Sequence, residues 1–169
     1  MNKVRLGFGG GCHWCTEAVF KSLKGVDLVE QGFIRSEPPH DVASEAVQIQ
    51  FDPAFISMAV LIEIHLRTHA STSDHTFRKK YRSAVYTTDT VHNHEANDTI
   101  AVLGIEFDRP IVTKVMPLVE FIASPEHYQN YYANHSNGEF CQRFIDPKLA
   151  LLRRQFRDHV DDDINVSLR

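Results

Sequence analysis

Gly7-Phe8-Gly9-Gly10-Gly11-Cys12-His13-Trp14-Cys15-Thr16-Glu17 is the stretch on which the reading of this chain turns. Upstream, Val4, Leu6 and Phe8 alternate with Lys3, Arg5 and Gly7, so residues 3–8 read as a strand. The glycines let the main chain approach other groups closely. Downstream, residues 14–23 read as a helix, with Ala18, Val19 and Leu23 on one face and Gly25 as its stop. Cys12 therefore stands at a helix start, where unpaired N–H groups and partial positive charge collect. A cysteine so placed is a thiolate more often than a free thiol is, and the thiolate is the nucleophile. Cys12 is the candidate redox or nucleophilic cysteine.

Three weaker readings compete. Gly7-x-Gly9 after a strand hints at a dinucleotide loop, but Cys12 stands where that fingerprint needs glycine. Cys12-x-x-Cys15 could begin a zinc site, completed by His65 and His69 or by His92 and His94. These histidines lie in polar stretches, where solvated histidine is the usual outcome. Finally, both cysteines could pack as small apolar residues. Three glycines leading into the pair favour chemistry. His13, when cationic, would help the neighbouring thiolate form.

Composition narrows the class. A chain of 169 residues with 43% hydrophobic and 24% charged residues suits one globular domain with a real core. We expect that domain over residues 1–160, with 161–169 a polar tail. A net charge of −4 argues against nucleic acid as main partner. No apolar run reaches membrane-spanning length, and the first residues carry no signal-peptide pattern. Three cysteines are an odd count and too few for a secreted disulfide scaffold. The expected setting is the reducing cytoplasm, where any disulfide would be transient and catalytic.

Further along, residues 26–34 read as a strand, followed by a proline-rich turn over residues 35–40. Residues 45–51 alternate as a half-buried strand, and Asp52-Pro53 looks like a helix cap opening a helix to about residue 67. Residues 68–80 form a polar loop, long enough to suggest a function. A strand follows at 82–87, then a polar helix over 90–103, capped by Asp89 and stopped by Gly104. A further strand is expected at 111–116, and an aromatic helical segment at 126–134. Asp146-Pro147 repeats the cap signal, opening a helix with Leu149, Leu152 and Phe156 inward. The order through Tyr86 is strand, helix, strand, strand, helix, strand. That pattern predicts an α+β fold of the ferredoxin-like, split βαβ kind, a two-layer sandwich with an extra C-terminal strand and helices.

Gly11-Cys12-His13-Trp14-Cys15-Thr16-Glu17 resembles the Gly-Cys-Phe-Trp motif of the A-type peptide methionine sulfoxide reductases. Ser44-Glu45-Ala46-Val47 is similar to that family's His-Ala-Glu-Val segment, and Lys80-Tyr81-Arg82-Ser83-Ala84 to its Gln-Tyr-Arg-Ser-Ala segment. Pro125-Glu126-His127-Tyr128-Gln129, Cys141 and Pro147-Lys148-Leu149 are similar to its C-terminal elements. The resemblance runs from residue 3 to about 155. His13 departs from the motif's Phe, one half of an aromatic pocket for the substrate methyl. The stretch from Gly32 to Glu45 is shorter than in the family and lacks a tyrosine that the longer version carries. Ser73-Asp74-His75-Thr76-Phe77-Arg78 replaces a Gly-Asn-Asp run, leaving Asp74 out of register.

The resemblance implies reduction of methionine S-sulfoxide by a thiol, without a cofactor, and assigns roles. The Cys12 thiolate attacks the sulfoxide sulfur. Glu45 is the general acid for the sulfoxide oxygen; a carboxyl partly buried among apolar groups tends to keep its proton. Without the resemblance Glu45 reads as a solvated strand-end residue. Tyr81 donates its phenolic O–H to the same oxygen, and Trp14, with His13, walls the substrate; each otherwise reads as core. Tyr128 and Tyr132 are further pocket candidates. The Cys12 sulfenic acid then condenses with a second thiol. Cys15, one turn along, and Cys141 are both candidates, Cys141 slightly favoured. Thioredoxin or a similar thiol would reduce the disulfide. The competing functions are a thiol–disulfide oxidoreductase using Cys12 and Cys15, and a zinc-binding structural module.

Overall fold

The structure is a computed structural model that describes residues 2–161. The chain runs β1 (Val4–Gly9), α1 (His13–Lys21), β2 (Val26–Arg35), β3 (Ser44–Phe51), α2 (Met58–Thr68), β4 (Ala84–Thr87), α3 (Thr90–Leu103), β5 (Lys114–Pro117), β6 (Glu120–Ala123), α4 (Tyr131–His135) and α5 (Asp146–Gln155). The strands form one sheet in the order β5-β4-β1-β3-β2-β6. Only the β4–β5 pairing is parallel; every other neighbour pair is antiparallel, so the sheet is mixed. Among the described residues no helix is long and apolar enough to cross a membrane.

The period-2 pattern of the central strands sorts their side chains between two faces. On one face Leu6, Phe8, Val47, Ile49 and Val85 meet Val19 and Phe20 of α1 and Leu61 and Ile64 of α2, all buried in one cluster. Phe8 and Phe20 stack with ring centres 4.5 Å apart. Leu149 and Leu152 place α5 against the same core. Each fully buried side chain of this size contributes roughly 1.5–3 kcal/mol. The opposite face is thinner. Ile34, Tyr86 and Met116 pack there over Ala46 and Ala84. Glycine makes the room: a Cβ at Gly7 would lie 2.5 Å from Ile34 Cδ1.

The structure moves several boundaries. Asp52-Pro53 does not open α2. Its carboxylate accepts the Ala54 N–H in a turn, and Ser57 caps the helix by accepting from Val60. A serine three residues before a free N–H outcompetes the earlier signal once the turn has redirected the chain. α1 ends at Lys21 rather than Leu23, and Gly25, at φ +86°, serves the turn into β2. The strand expected at 111–116 begins at Lys114, and the short, half-exposed edge strand β6 has no counterpart in the sequence reading. Thr76–Lys79 interrupts the expected loop with a 3-10 turn. α5 does open at Asp146, with Pro147 in its first turn and Leu149 and Leu152 inward, but Asp146 does not cap it: the N-cap is Ile145, at the end of a π turn over Cys141–Ile145. The Asp89 cap and the Gly104 end of α3 stand as expected. Most of the expected tail, residues 162–169, lies outside the described residues.

Candidate active site

Cys12 occupies the N-cap position of α1, with φ −59° and ψ 127°. A Cβ at Gly10 would lie 2.4 Å from the His69 ring, so only glycine fits the approach to that cap. The Cys12 carbonyl accepts the N–H of Cys15 at 3.1 Å and of Thr16 at 3.3 Å, which starts the helix. The sulfur of Cys12 receives the Cys15 thiol and the main-chain N–H groups of Trp14 and Cys15. The Cys15 hydrogen bond is the chief reason that the Cys12 thiol sits below its ordinary range; burial and the Glu45 charge oppose it. The same bond, with burial, pushes the Cys15 thiol up. Of the two sulfurs, Cys12 is the one poised as nucleophile.

Glu45, at the start of β3, is only 7% exposed. Its Oε1 accepts the main-chain N–H of His13 at 3.4 Å and faces His13 Nε2 at 3.3 Å, while Oε2 lies 3.7 Å from Lys80 Nζ. Lys80 sits over the Tyr81 ring, 5.0 Å from its centre. Its hydrogen bond to Tyr81, with Glu45 nearby, raises the lysine above its ordinary range. Three elements thus bring Cys12, Glu45 and Tyr81 into one neighbourhood. Cys12, Cys15 and Tyr81 also line a cavity of about 410 Å³ with Phe77, Phe140 and Lys148. Lys148 is pushed below its ordinary range by burial, faces both thiols and donates to the Thr68 carbonyl.

Trp14 is stacked flat on Tyr131, ring centres 3.9 Å apart and planes 2° apart, with Phe140 edge-on to both. Its indole N–H has no partner among the described residues. Tyr131 was invisible in the sequence reading, which pointed to Tyr128 and Tyr132. Tyr128 is largely exposed and Tyr132 donates its hydroxyl to Asp146 at 2.6 Å. Asn130, at φ 57°, breaks the expected helical segment and swings Tyr131 inward. Glu17, 1% exposed, holds that turn: its carboxylate accepts the N–H of Asn130 at 3.1 Å and of Tyr131 at 3.0 Å. The acidic residue five past Cys12 was the available signal.

Cys141 is fully buried and lies close enough to Cys15 for their charges to interact, whereas Cys15 alone of the two bonds Cys12. Asp74 lines a different cavity, of about 440 Å³, with Arg78 and Lys114. His65 and His69 stack on each other, and each gives its Nε2 to the protein: His65 to the Gly9 carbonyl and His69 to Ser83 Oγ, each at 2.8 Å. His92 is taken by the Asp89 cap. His65 and His69 line the same cavity as Cys12 and Cys15, but both Nε2 atoms are committed to protein partners, and the zinc reading is not favoured. Among the described residues no three His, Cys, Asp or Glu side chains are grouped to hold a metal ion.

Comparison with known proteins fits this geometry. A family model described as peptide methionine sulfoxide reductase matches residues 5–160. Peptide methionine sulfoxide reductase MsrA of Chromobacterium violaceum is 38% identical over 164 residues, covering 88% of this chain and 93% of that protein. Two solved structures share the fold. Mxr1 from Saccharomyces cerevisiae in its reduced form has a TM-score of 0.72 at 19% identity, covering 82% of this chain and 89% of the other. Mxr1 in complex with Trx2 has a TM-score of 0.61 at 18% identity, covering 76% and 84%. The match over residues 5–160, with relatives 38% identical across most of the chain, places this protein in the peptide methionine sulfoxide reductase family.

Proposed function

We propose that this protein reduces the S epimer of methionine sulfoxide, free or within proteins, to methionine, and so repairs oxidised proteins. The observation that carries the reading is the activated thiol of Cys12 beside Glu45 and Tyr81. The Cys12 thiolate attacks the sulfoxide sulfur, and a proton from Glu45, with Tyr81 as a second donor, goes to the sulfoxide oxygen. The oxygen–sulfur bond of the substrate breaks and one forms at Cys12. Methionine sulfur gains two electrons, and Cys12 becomes a sulfenic acid. Trp14 supplies the apolar wall for the substrate methyl, with Tyr131 holding it flat, and His13 is the second residue read as substrate-binding.

Cys15 is the better placed resolving thiol, since it already bonds Cys12; Cys141 stands behind it as the second. Condensation forms the disulfide and releases water. Thioredoxin or a similar dithiol then returns both cysteines to thiols, a role supported by the Trx2 complex of the yeast structural relative. Thiol–disulfide exchange at Cys12 and Cys15 is thereby one half of the cycle rather than a rival to it. No cofactor enters. Three free cysteines suit a reducing cytoplasm as the working compartment.

We also read the core as ferredoxin-like. The antiparallel order β4-β1-β3-β2, reached by strand, helix, strand, strand, helix, strand, supports this, with β5 and β6 as additions at the two edges. Residues 1–160 are taken as one reductase domain. Turnover of methionine S-sulfoxide with dithiothreitol tests the function. Wild type should turn over the S epimer and not the R epimer, Cys12→Ser should abolish it, and Glu45→Gln should cut it by about 10²-fold. Absence of turnover by wild type would refute the reading.

A further inference from the structure

His13 departs from the family motif, and the structure gives it work to do. The ring is buried, 7% exposed, and its Nδ1 lies 2.8 Å from the carbonyl oxygen of Gly32 in β2. A carbonyl only accepts, so Nδ1 carries the hydrogen. The other nitrogen, Nε2, then has to meet Glu45 Oε1 at 3.3 Å. With Nε2 and Oε1 both bare, two lone pairs would face each other in a buried place. One proton between them removes that repulsion, as N–H⁺ to carboxylate or as O–H to imidazole. A phenylalanine at this position could do neither. The ring cannot easily turn away, because the edge of Phe33 packs against it at 5.3 Å between ring centres.

We propose that His13 and Glu45 form a two-residue proton reservoir, in which His13 holds the proton that Glu45 passes to the sulfoxide oxygen. His13 is a positioning and proton-holding residue acting through Glu45, and the proposal rests on the reductase reading above. In the step, Cys12 thiolate and substrate sulfur react as already described, and the transferred proton leaves neutral imidazole and a carboxylate behind. Water released in disulfide formation takes its hydrogens from the Cys12 sulfenic acid and the resolving thiol, so the reservoir refills from solvent. The titratable groups that face the pair are Lys80, 3.7 Å from Oε2 on the loop before β4, Tyr81 bonded to that lysine, and Cys12 at the head of α1. From β2 the pair meets the Gly32 carbonyl and Phe33.

Two measurements on the intact chain test this. The first is the pH dependence of kcat with methionine S-sulfoxide and dithiothreitol for wild type, His13→Phe and His13→Gln. Both variants should lose at least tenfold at pH 8 and much less at pH 6, because the high-pH arm moves to lower pH; KM should change less than threefold. Equal pH profiles for wild type and His13→Phe would overturn the proposal. The second does not need turnover: nitrogen NMR of labelled histidine. His13 should show hydrogen on Nδ1, and Glu45→Gln should shift its Nε2 signal. Hydrogen fixed on Nε2 with Nδ1 bare, or an Nε2 signal blind to Glu45→Gln, would overturn it. A wild type that fails to turn over yet shows the Nδ1–H signature would sink the reductase reading and leave the pair standing.

Discussion

At the scale of single residues, the Cys12 thiol sits below its ordinary range because three donors converge on its sulfur, Cys15 foremost. A thiol whose pKa is lowered is a thiolate, and alkylates fast, from a lower pH upward. Alkylation of Cys12 by iodoacetamide should therefore reach half its limiting rate below the pH of an ordinary thiol. Cys15→Ala, which removes the chief donor, should move that midpoint up, and Cys15→Ser, which keeps a donor, should move it less. Stacking makes a second prediction. Tyr131→Leu, which keeps apolar bulk but loses the flat contact on Trp14, should raise KM about three- to tenfold. The cysteine was legible because its signal is local: glycines, a helix start, a partner three residues on. Tyr131 was not, because the carboxylate that turns it inward is Glu17, 114 residues away. A single left-handed residue at Asn130 shifts the aromatic phase by less than a turn, and that was enough to point at Tyr128 and Tyr132 instead.

At the scale of elements, strands and helices with strong periodicity were readable, and their ends were decided by competition. Asp52 and Ser57 both carry cap chemistry, and the turn at residues 52–56 gives the helix to Ser57. Ser57→Ala should cost about 1 kcal/mol in denaturant unfolding, and Asp52→Ala less. β6 was unreadable because a four-residue edge strand buries too little for a pattern; it exists by pairing with β2. That pairing depends on Gly32, where a Cβ would lie 2.2 Å from the Ile122 carbonyl oxygen. Main chain cannot retreat as a side chain can, so Gly32→Ala should destabilise the fold by about 2–3 kcal/mol and free β6 first. Hydrogen exchange should show the β6 amides losing protection ahead of β1 and β3.

At the scale of the whole molecule, the end of α2 carries two histidines that desolvation keeps neutral. Burial holds His65 well below its ordinary range and His69 down to about 3. Both are neutral in the folded protein, while the unfolded chain binds protons on them below about pH 6.5. The unfolded state therefore holds more protons between that pH and the folded values, and stability falls as pH drops through this window. At pH 5 each costs about 2 kcal/mol. Denaturant midpoints should decline from pH 7 to pH 5, and His69→Gln should flatten the decline. The sequence placed these histidines in a polar stretch, and the fold desolvated them because α2 turns that side toward Gly9 and Gly10. The strand order β4-β1-β3-β2 followed from the alternation of elements, whereas the two edge strands follow from contacts that no local pattern records.

The hold of Glu17 on the turn at Asn130 and Tyr131 also sets a timetable. Cys12 leaves the ribosome well before Tyr131, the aromatic roof over its neighbour Trp14. A nascent chain therefore carries its nucleophilic cysteine before it owns a pocket to use it in. Cells that make this protein during oxidative stress would gain from completing each chain quickly, and a stalled ribosome would hold a cysteine open to peroxide with no substrate site around it.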